Sequence, residues 1–295
     1  MATVSGGTAS DKFGFVKRYR SLGIKKLCGW FGVSPSGYYA WLQREAPDRY
    51  YEDQQLLKLI TRIYWDSEGR YGSPRVHKAL QKQKVYVGRK RVERLMREAG
   101  LRGRVVRVTT KMPGWKRFKA QGTNLLLAMD KPTSINQVWV GDVTYIKVND
   151  QWQYLSTVMD LYSRRVIGWS LSSSRTAELT KTAMRHAMRK RGYPKGIVFH
   201  TDRGIEYMAK EYQKELNRYE VKHSVNRPRY CTDNAFMESF YHSLKTELIR
   251  GNVYESHSDL HKAIGGYING FYNSVRLHSG IDYCSPIEYE AQVAN

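Results

Sequence analysis

The sequence predicts an α/β domain preceded by small all-α segments, and three observations support this. From Val138 onward, three successive segments have the alternating apolar pattern of an antiparallel β meander, and helical and strand patterns alternate after them. Before residue 120 the apolar residues instead recur at helical spacing. Basic residues are concentrated in that first part, which contains 27 Lys and Arg against 9 Asp and Glu, a balance of +18 out of the total of +22.

The composition is that of a folded protein with a polyanionic partner. At 295 residues, with 41% hydrophobic and 13% aromatic residues, the chain can bury a sizeable core. No run approaches the ~18 apolar residues of a membrane-spanning helix, and the first ten residues lack the basic and apolar regions of a signal peptide. Three distant cysteines support neither a disulfide framework nor a cysteine zinc site. We therefore expect a cytosolic protein that binds nucleic acid and no membrane.

We predict a disordered N-terminus at residues 1–14 and a small helical segment at 15–48. Ser34 is a favoured helix N-cap and Pro35 suits a first helical position, so SPSGYYAWL begins a helix. Its aromatic residues can pack against the preceding helix. A helix-turn-helix and a plain helical hairpin are both open here, because the second helix has few basic residues for a DNA groove.

Residues 49–103 are predicted to form a helix-turn-helix DNA-binding domain of three helices. The last helix, GRKRVERLMREAG, has an apolar stripe formed by Val92, Leu95, Met96 and Ala99. The rest of its surface is basic and suits a DNA groove, through Arg89, Lys90, Arg91, Arg94 and Arg97. The alternative is a solvated charged face, in which Glu93 and Glu98 pair with some of these residues.

Residues 104–135 are predicted to be a basic linker that contacts DNA phosphates. Between positions 102 and 119 there are seven basic residues and no acidic one: Arg102, Arg104, Arg107, Lys111, Lys116, Arg117 and Lys119. Lys and Arg contacts to phosphates supply affinity without sequence information. Trp115 or Phe118 could stack on an unpaired base. A flexible tether is the alternative, and the two roles are compatible.

Residues 136–250 are predicted to form the α/β catalytic core, followed by an extension at 251–295. Three carboxylates stand in exposed settings on separate elements: Asp142 in a strand, Asp202 at the end of the strand IVFHTD, and Glu238 on a helix. Carboxylates are the ligands that Mg²⁺ prefers, so three of them gathered together indicate a metal site. Sixty positions separate Asp142 from Asp202, and thirty-five residues lie between Asp202 and Glu238.

With these flanks, the spacing resembles the D-D-E core of retroviral integrases and insertion-sequence transposases. The segments SPSGYYAW and YGSPRVHKAL, followed by the three acids, most closely resemble the OrfB-type transposases of the insertion-sequence family three. The chain lacks the His and Cys pairs of the retroviral integrase zinc domain. The resemblance implies a ribonuclease H-like, integrase-type fold for the core, with which the order of predicted strands and helices agrees.

The resemblance also implies an activity and roles for the acids. Asp142, Asp202 and Glu238 would be both catalytic residues and the ligands of two Mg²⁺ ions, for which Mn²⁺ can substitute. The enzyme would cut double-stranded DNA at the ends of an element and join the new 3′-hydroxyl to target DNA. The upstream-frame protein OrfA would be a further candidate partner. The alternatives are a DNA-binding regulator without catalysis and a ribonuclease H-type nuclease that only hydrolyses.

Three residues near the acids are predicted to contact DNA. Lys245 lies two helical turns beyond Glu238, and it matches a basic residue of the family that would touch DNA phosphates. Asn234 shares the helix face of Glu238. His200 either positions substrate or satisfies the end of its strand. The other face of this helix is predicted to pack against the core, through Phe236, Phe240, Leu244 and Leu248.

Two further acids and a histidine pair are assigned no catalytic role. Asp160 ends a strand at a position that is structural in the family, and Glu206 lies where a helix dipole favours a carboxylate. His257 and His261 have no third metal ligand nearby.

Self-association is expected to depend on DNA. An element has two ends and one site handles one strand at a time, so at least two chains must meet on DNA. The sequence has no sustained heptads, and the +18 charge of its first part repels a second copy. DNA would neutralise that charge and offer paired binding sites.

Overall fold

The computed structural model describes residues 7–43, 48–104, 123–149, 151–228 and 231–293. The chain divides into two units, Met1–Arg62 and Ile63–Asn295. The boundary lies within one long helix, α4 (Asp48–Asp66), so the segment 49–103, predicted as one domain, is shared between the units. None of the helices in the described ranges is long and apolar enough to cross a membrane.

The first unit contains the helices α1 (Ala9–Arg18), α2 (Ile24–Phe31) and α3 (Pro35–Gln43). They pack around a small apolar core of Phe13, Val16, Leu27, Cys28 and Tyr38. The prediction of disorder for residues 1–14 is wrong from Ala9 onward, because Thr8 and Asp11 form a capping box that starts α1. Gly32 ends α2 in the left-handed conformation, and the short turn into α3 is typical of a helix-turn-helix.

In the second unit, the last turn of α4 is followed by α5 (Ser73–Lys82) and α6 (Arg89–Glu98). The apolar stripe predicted for α6 is buried at Val92, Leu95 and Met96, whereas Ala99 follows the end of the helix and is exposed. α5 and α6 pack against each other. Nε2 of His77 on α5 lies 2.9 Å from the carbonyl oxygen of Val87, which fixes the connecting turn.

The second unit contains a mixed sheet of β1 (Val138–Val148), β2 (Gln151–Asp160), β3 (Val166–Ser172), β4 (Val198–Thr201) and β5 (Lys222–Val225). The spatial order is β3-β2-β1-β4-β5. The first three strands form the predicted antiparallel meander, whereas β4 and β5 run parallel to β1. The parallel strands alternate with α7 (Ala177–Lys190), α8 (Ile205–Met208) and α9 (Lys210–Arg218). This arrangement confirms the ribonuclease H-like fold predicted for the core.

Helices cover both faces of the sheet. On one face, α7 and α9 pack with Trp139 of β1 and Phe199 of β4, which are fully buried. Burying one such ring contributes about 3 kcal/mol. On the other face, α10 (Ala235–Leu244) places Tyr241 over the sheet, and the Tyr241 hydroxyl lies 2.8 Å from Oγ1 of Thr157 on β2.

The extension that begins at residue 251 belongs to the same unit. α10 continues as a π-helical turn, Lys245–Ile249, and α11 (His257–Gly265) continues in the same way through Gly266–Tyr272. The last helix is α12 (Pro286–Val293). Between them, the Asn273 side chain accepts from the backbone N–H of Val166 and donates to its carbonyl oxygen, both at 2.9 Å. These two bonds fasten the extension to the edge strand β3.

A buried ion pair at Glu247 joins three parts of the second unit. Arg276 in the extension donates to both carboxylate oxygens of Glu247 at 2.7 to 3.1 Å, and the Tyr267 hydroxyl donates at 2.8 Å. The guanidinium of Arg75, on α5, lies 3.9 Å from the same carboxylate and donates to the carbonyl oxygen of Leu277 at 3.0 Å. Helix α5 is therefore docked on the end of α10 and on the extension.

Candidate active site

The strand register places Asp142 beside Asp202. β1 and β4 are parallel, and their paired residues differ by sixty positions, from Val138 with Val198 to Gly141 with Thr201. The next step in this register pairs Asp142 with Asp202, which directly follows β4. Side chains at one level of neighbouring parallel strands point to the same face. The sixty-residue spacing of the two aspartates in the sequence therefore equals the offset between paired residues of β1 and β4.

The two carboxylates repel each other in a partly enclosed site. Burial raises the pKa of Asp142 well above its ordinary value, and the charge of Asp202 raises it further. Burial also raises the pKa of Asp202, and the charge of Glu206 adds to that shift. Opposing this, the N–H groups of Val143 and Gly204 donate to Asp142 and Asp202 at 2.8 and 2.9 Å. A cation would stabilise both charges, so the pair fits a divalent metal ion.

Two glycines leave the space that this arrangement needs. A β-carbon on Gly204 would lie 2.6 Å from Oε1 of Glu206 and 3.0 Å from Oδ1 of Asp202. A β-carbon on Gly141, next to Asp142, would overlap the ring of Phe199. The close approach of Phe199 therefore requires glycine at Gly141, and a side chain at Gly204 would force the carboxylates of Glu206 and Asp202 to shift.

Helix α10 brings Glu238 to the same strand. Nδ2 of Asn234 donates to the carbonyl oxygen of Gly141 at 3.0 Å, and the Tyr241 hydroxyl donates to that of Asp142 at 2.5 Å. Asn234, Glu238 and Tyr241 are spaced i, i+4 and i+7, so they share one helix face. Glu238 thus lies between the two residues that fix α10 to the backbone around Asp142, and its side chain is exposed.

The three acids do not form a closed cage. Within the described part of the chain, no three His, Cys, Asp or Glu side chains come close enough together to hold a metal ion. The structure brings Asp142 and Asp202 together and places Glu238 on the helix anchored beside them. Mg²⁺ commonly takes only one or two protein carboxylates, with substrate phosphate oxygens and water completing its shell. The pair of aspartates meets that requirement.

Lys245 lies near the acidic pair, where α10 passes into its π-helical turn. Its ammonium group lies 4.7 Å from the ring centre of Tyr145 on β1, in a cation–π contact. Burial lowers the pKa of Lys245, and the charge of Asp142 opposes that shift. The residue predicted to contact phosphate is thus within electrostatic reach of the acids.

Two residues predicted to contact DNA are instead part of the core. His200 is fully buried, with Nδ1 at 2.8 Å from Oγ of Ser224 and Nε2 at 2.7 Å from Oδ1 of Asn226. Its ring nitrogens tie β4 to the end of β5, and burial lowers its pKa. Asn234 is 3% exposed and bonded to β1. The prediction of DNA contact is therefore wrong for both side chains, and the strand-end alternative for His200 is correct.

The packing face predicted for α10 is confirmed at Phe240, Leu244 and Leu248, which are buried, but other side chains differ from the prediction. Asn234 was expected on the face away from the core, but it packs against β1 together with Tyr241, which lies seven residues further along the same face. Phe236, expected to pack, is 39% exposed, and the guanidinium of Arg164 lies 4.1 Å from its ring centre. The spacing correctly placed Asn234 and Tyr241 on one face of the helix. It did not show that this face lies against β1.

The basic residues of α6 fall into two groups. Arg94 pairs with Glu98 at 3.0 Å, as the solvated-face alternative anticipated, and Arg91 is half-buried. Three other basic side chains are exposed and form no ion pair within the described ranges: Arg89, Lys90 and Arg97. These three are the residues of α6 most available to a DNA phosphate.

The predicted linker is only partly described. Arg102 is exposed, whereas Arg104 donates to the carbonyl oxygen of Glu247 at 3.0 Å and so helps to hold the core. The remaining predicted DNA contacts lie outside the described residues and stay predictions: Arg107, Lys111, Lys116 and Arg117, with Trp115 and Phe118.

The two acids that were assigned other roles from the sequence lie where predicted, and Glu206 has a further partner. Asp160 is structural, as predicted, because its buried carboxylate accepts from the backbone N–H groups of Asn136, Tyr162 and Ser163. Glu206 lies in the first turn of α8, as predicted, but it is 2% exposed, and its Oε1 accepts from the guanidinium of Arg175. The sequence places Glu206 four residues after Asp202 and so near the acidic pair. It contains no pattern that predicts the ion pair with Arg175.

Models of known families match three parts of the chain. Integrase core domain models match residues 132–231 and residues 238–293, and an HTH-like domain model matches residues 51–108. Asp142 and Asp202 lie in the first of the integrase segments, and Glu238 begins the second.

Curated relatives match along almost the whole chain. "Transposase InsF for insertion sequence IS3A" of Escherichia coli (strain K12) is 35% identical over 286 residues, which cover 95% of this chain and 98% of the relative. "Insertion element IS600 uncharacterized 31 kDa protein" of Shigella sonnei is 34% identical over 263 residues, which cover 89% of this chain and 97% of that protein.

The solved structures that the chain resembles include viral integrases. The simian T-cell lymphotropic virus intasome in complex with PP2A regulatory subunit B56 gamma has a TM-score of 0.47 at 16% identity, covering 78% of this chain and 74% of that chain. The HTLV-2 integrase catalytic core domain in complex with magnesium (dimeric form) has a TM-score of 0.41 at 21% identity, covering 54% and 98%.

Proposed function

Because this chain belongs to the IS3 family of insertion-sequence transposases with an integrase core, we propose that Asp142, Asp202 and Glu238 form its catalytic metal site. The observation that carries the proposal is the register of β1 and β4, which sets Asp142 beside Asp202. The reaction proposed is cleavage of one strand at the element's end and transfer of its 3′-hydroxyl to a phosphate of target DNA.

The donor set fits magnesium. Two neighbouring carboxylates with raised pKa values gain most from a cation between them. Divalent ions bound at this site would activate the attacking oxygen and stabilise the leaving oxygen. Asp142 and Asp202 would hold the first ion together. Glu238, exposed on its anchored helix, would complete a second position with substrate phosphate oxygens.

The other residues of the site orient the acids and the substrate. Asn234 and Tyr241 hold the helix that carries Glu238, and the N–H of Gly204 holds one oxygen of Asp202. Lys245, near Asp142, would contact a DNA phosphate beside the bond that is cut. His200 has no part in this mechanism because both of its ring nitrogens are used within the core.

A strand-transfer assay tests the function. Full-length protein, labelled end DNA, target plasmid and Mg²⁺ are expected to yield end DNA joined to the plasmid, with the upstream-frame protein OrfA added in a parallel series. DNA binding without cleavage in both series would support the regulator. Hydrolysis of an RNA–DNA hybrid without any joining would support the nuclease.

Helix α6 is proposed to contact the DNA backbone through Arg89, Lys90 and Arg97. Replacing all three with Gln is expected to weaken binding and to flatten the dependence of log K on log salt by about 0.9 for each phosphate that is no longer neutralised. Binding to end DNA, measured by fluorescence anisotropy over a range of salt concentrations, gives that slope.

A matched triple variant controls for the loss of net charge. Lys210, Lys214 and Arg218 are exposed basic residues of α9, and their replacement with Gln removes the same charge from another helix. We expect the control to keep the wild-type slope. Equal flattening by both triples would show that α6 does not face the DNA backbone.

A second copy of this chain is proposed as a partner in addition to double-stranded DNA. Two chains are expected to associate when they bind DNA, because each carries one acidic pair and an element has two ends. OrfA remains a candidate partner for this assembly.

A further inference from the structure

A buried ion pair lies against the two aspartates. Oε1 of Glu206 accepts hydrogen bonds from Nε and Nη2 of Arg175 at 3.0 and 2.7 Å. The side chain of Glu206 is 1% exposed and that of Arg175 is 18% exposed. Arg175 lies just before the N-cap of α7, and Glu206 lies in α8, so the pair links the start of α7 to the short helix that follows Asp202.

Glu206 belongs to the same carboxylate cluster as Asp142 and Asp202. Its charge raises the pKa of both aspartates, and a β-carbon on Gly204 would touch both Glu206 and Asp202. The other oxygen of Glu206, Oε2, is buried and has no hydrogen-bond partner within the described part of the chain. A buried carboxylate oxygen without a donor is costly unless a cation or water meets it. A cation held by the two aspartates would offset the charge that this oxygen carries.

Arg175 supplies the opposing charge. Its guanidinium lowers the pKa of Asp142 and of Asp202, so its field reaches both. Counted formally, three carboxylates and one guanidinium carry a net charge of −2. Removing Glu206 or Arg175 changes that charge by one unit, and the two changes have opposite signs.

We propose that Arg175 and Glu206 are positioning residues whose ion pair sets the affinity of the Asp142–Asp202 pair for a divalent cation. This inference rests on the proposed function. Glu206 strengthens the attraction for the cation, whereas Arg175 limits it until substrate phosphate adds further negative charge.

Mn²⁺ binding to the full chain, measured by isothermal titration calorimetry without DNA, tests the proposal. Glu206→Gln is expected to weaken binding about tenfold, because a negative charge is removed while the positive charge of Arg175 remains. Arg175→Gln is expected to strengthen binding about tenfold for the converse reason. A merely structural role would move both affinities in the same direction. Changes of the same sign, or no change in either variant, would overturn the proposal.

Two further variants separate charge from folding. Arg175→Lys keeps the charge and should bind Mn²⁺ within about threefold of wild type. The double variant Arg175→Gln with Glu206→Gln restores the formal charge, so its affinity for Mn²⁺ should also lie within about threefold of wild type. If a single variant does not fold, the double variant decides, and a loss as large as that of Asp202→Asn would overturn the proposal.

Asp202→Asn distinguishes failure of this inference from failure of the metal site. If Asp202→Asn leaves Mn²⁺ binding unchanged, the proposed metal site is wrong and the inference is overturned with it. If Asp202→Asn weakens binding while the Arg175 and Glu206 variants match wild type, only the inference fails.

Discussion

Asp202→Asn is expected to abolish cleavage and strand transfer while DNA affinity stays within a few-fold of wild type. Asn keeps the shape of Asp and can still accept from the N–H of Gly204, but it loses the charge that would hold a cation beside Asp142. Loss of metal-ion stabilisation is worth several kcal/mol, or roughly 10³-fold in rate or more. Most binding should persist because the proposed phosphate contacts lie in the basic first 120 positions, away from the acidic pair.

Strand transfer of labelled end DNA and anisotropy with the same DNA measure the two quantities. Asp66→Asn is the matched control, since Asp66 is an exposed residue at the end of α4. It should leave both quantities unchanged. An active Asp202→Asn enzyme would contradict the proposal that Asp142 and Asp202 form the catalytic metal site.

Glu247→Gln is expected to destabilise the second unit by about 3 kcal/mol or more, because it leaves the buried charge of Arg276 without its partner. Both side chains of this pair are only 5% exposed. Glu247 also receives the Tyr267 hydroxyl and lies beside Arg75 of α5. The variant should therefore loosen the docking of α5 on the core as well as lower the free energy of unfolding measured in urea.

The stability that Glu247 contributes should depend on pH. Burial raises the pKa of this carboxyl, but the hydrogen bonds and charge of Arg276 outweigh burial, so its pKa in the folded state is lowered. A carboxyl with a lowered folded-state pKa contributes stability that is complete above its unfolded pKa of about 4.3 and is lost as pH falls through the folded value. Wild type and Glu247→Gln should thus converge in stability below about pH 4.

Glu220→Gln serves as the control for this pair. Glu220 is bonded to Lys195 at 2.6 Å, but the two side chains are 69% and 60% exposed. Surface ion pairs contribute about 0–1 kcal/mol. If Glu247→Gln lowers the free energy of unfolding no more than Glu220→Gln does, the buried pair does not hold α5 on the core.

The strands and the acidic pair could be predicted from the sequence because both depend on local regularities. Alternation of apolar residues follows from the two-residue period of a strand, and it located β1 and β2 closely. Asp142 and Asp202 were identified by their positions in a strand and at a strand end. Their sixty-residue spacing agrees with the register of β1 and β4.

The errors concern side chains whose surroundings come from distant parts of the chain. His200 stands next to Asp202 in the sequence, yet its partners are on or just after β5. Asn234 shares a face with Glu238, yet it is bonded to β1. Periodicity defines the faces of a helix, but it does not show which face the sheet will cover.

By itself, the sequence determined the α/β class of the core, the helical first part, the three acids and the family that they resemble, because local patterns and motif spacing carry that information. The tertiary structure alone decided that Glu206 is buried against Arg175, that His200 is internal, and that Glu247 joins α5 to α10. Burial of a polar group is stable only when its partners are in place. Those partners lie tens to hundreds of positions away, and only the folded chain brings them together.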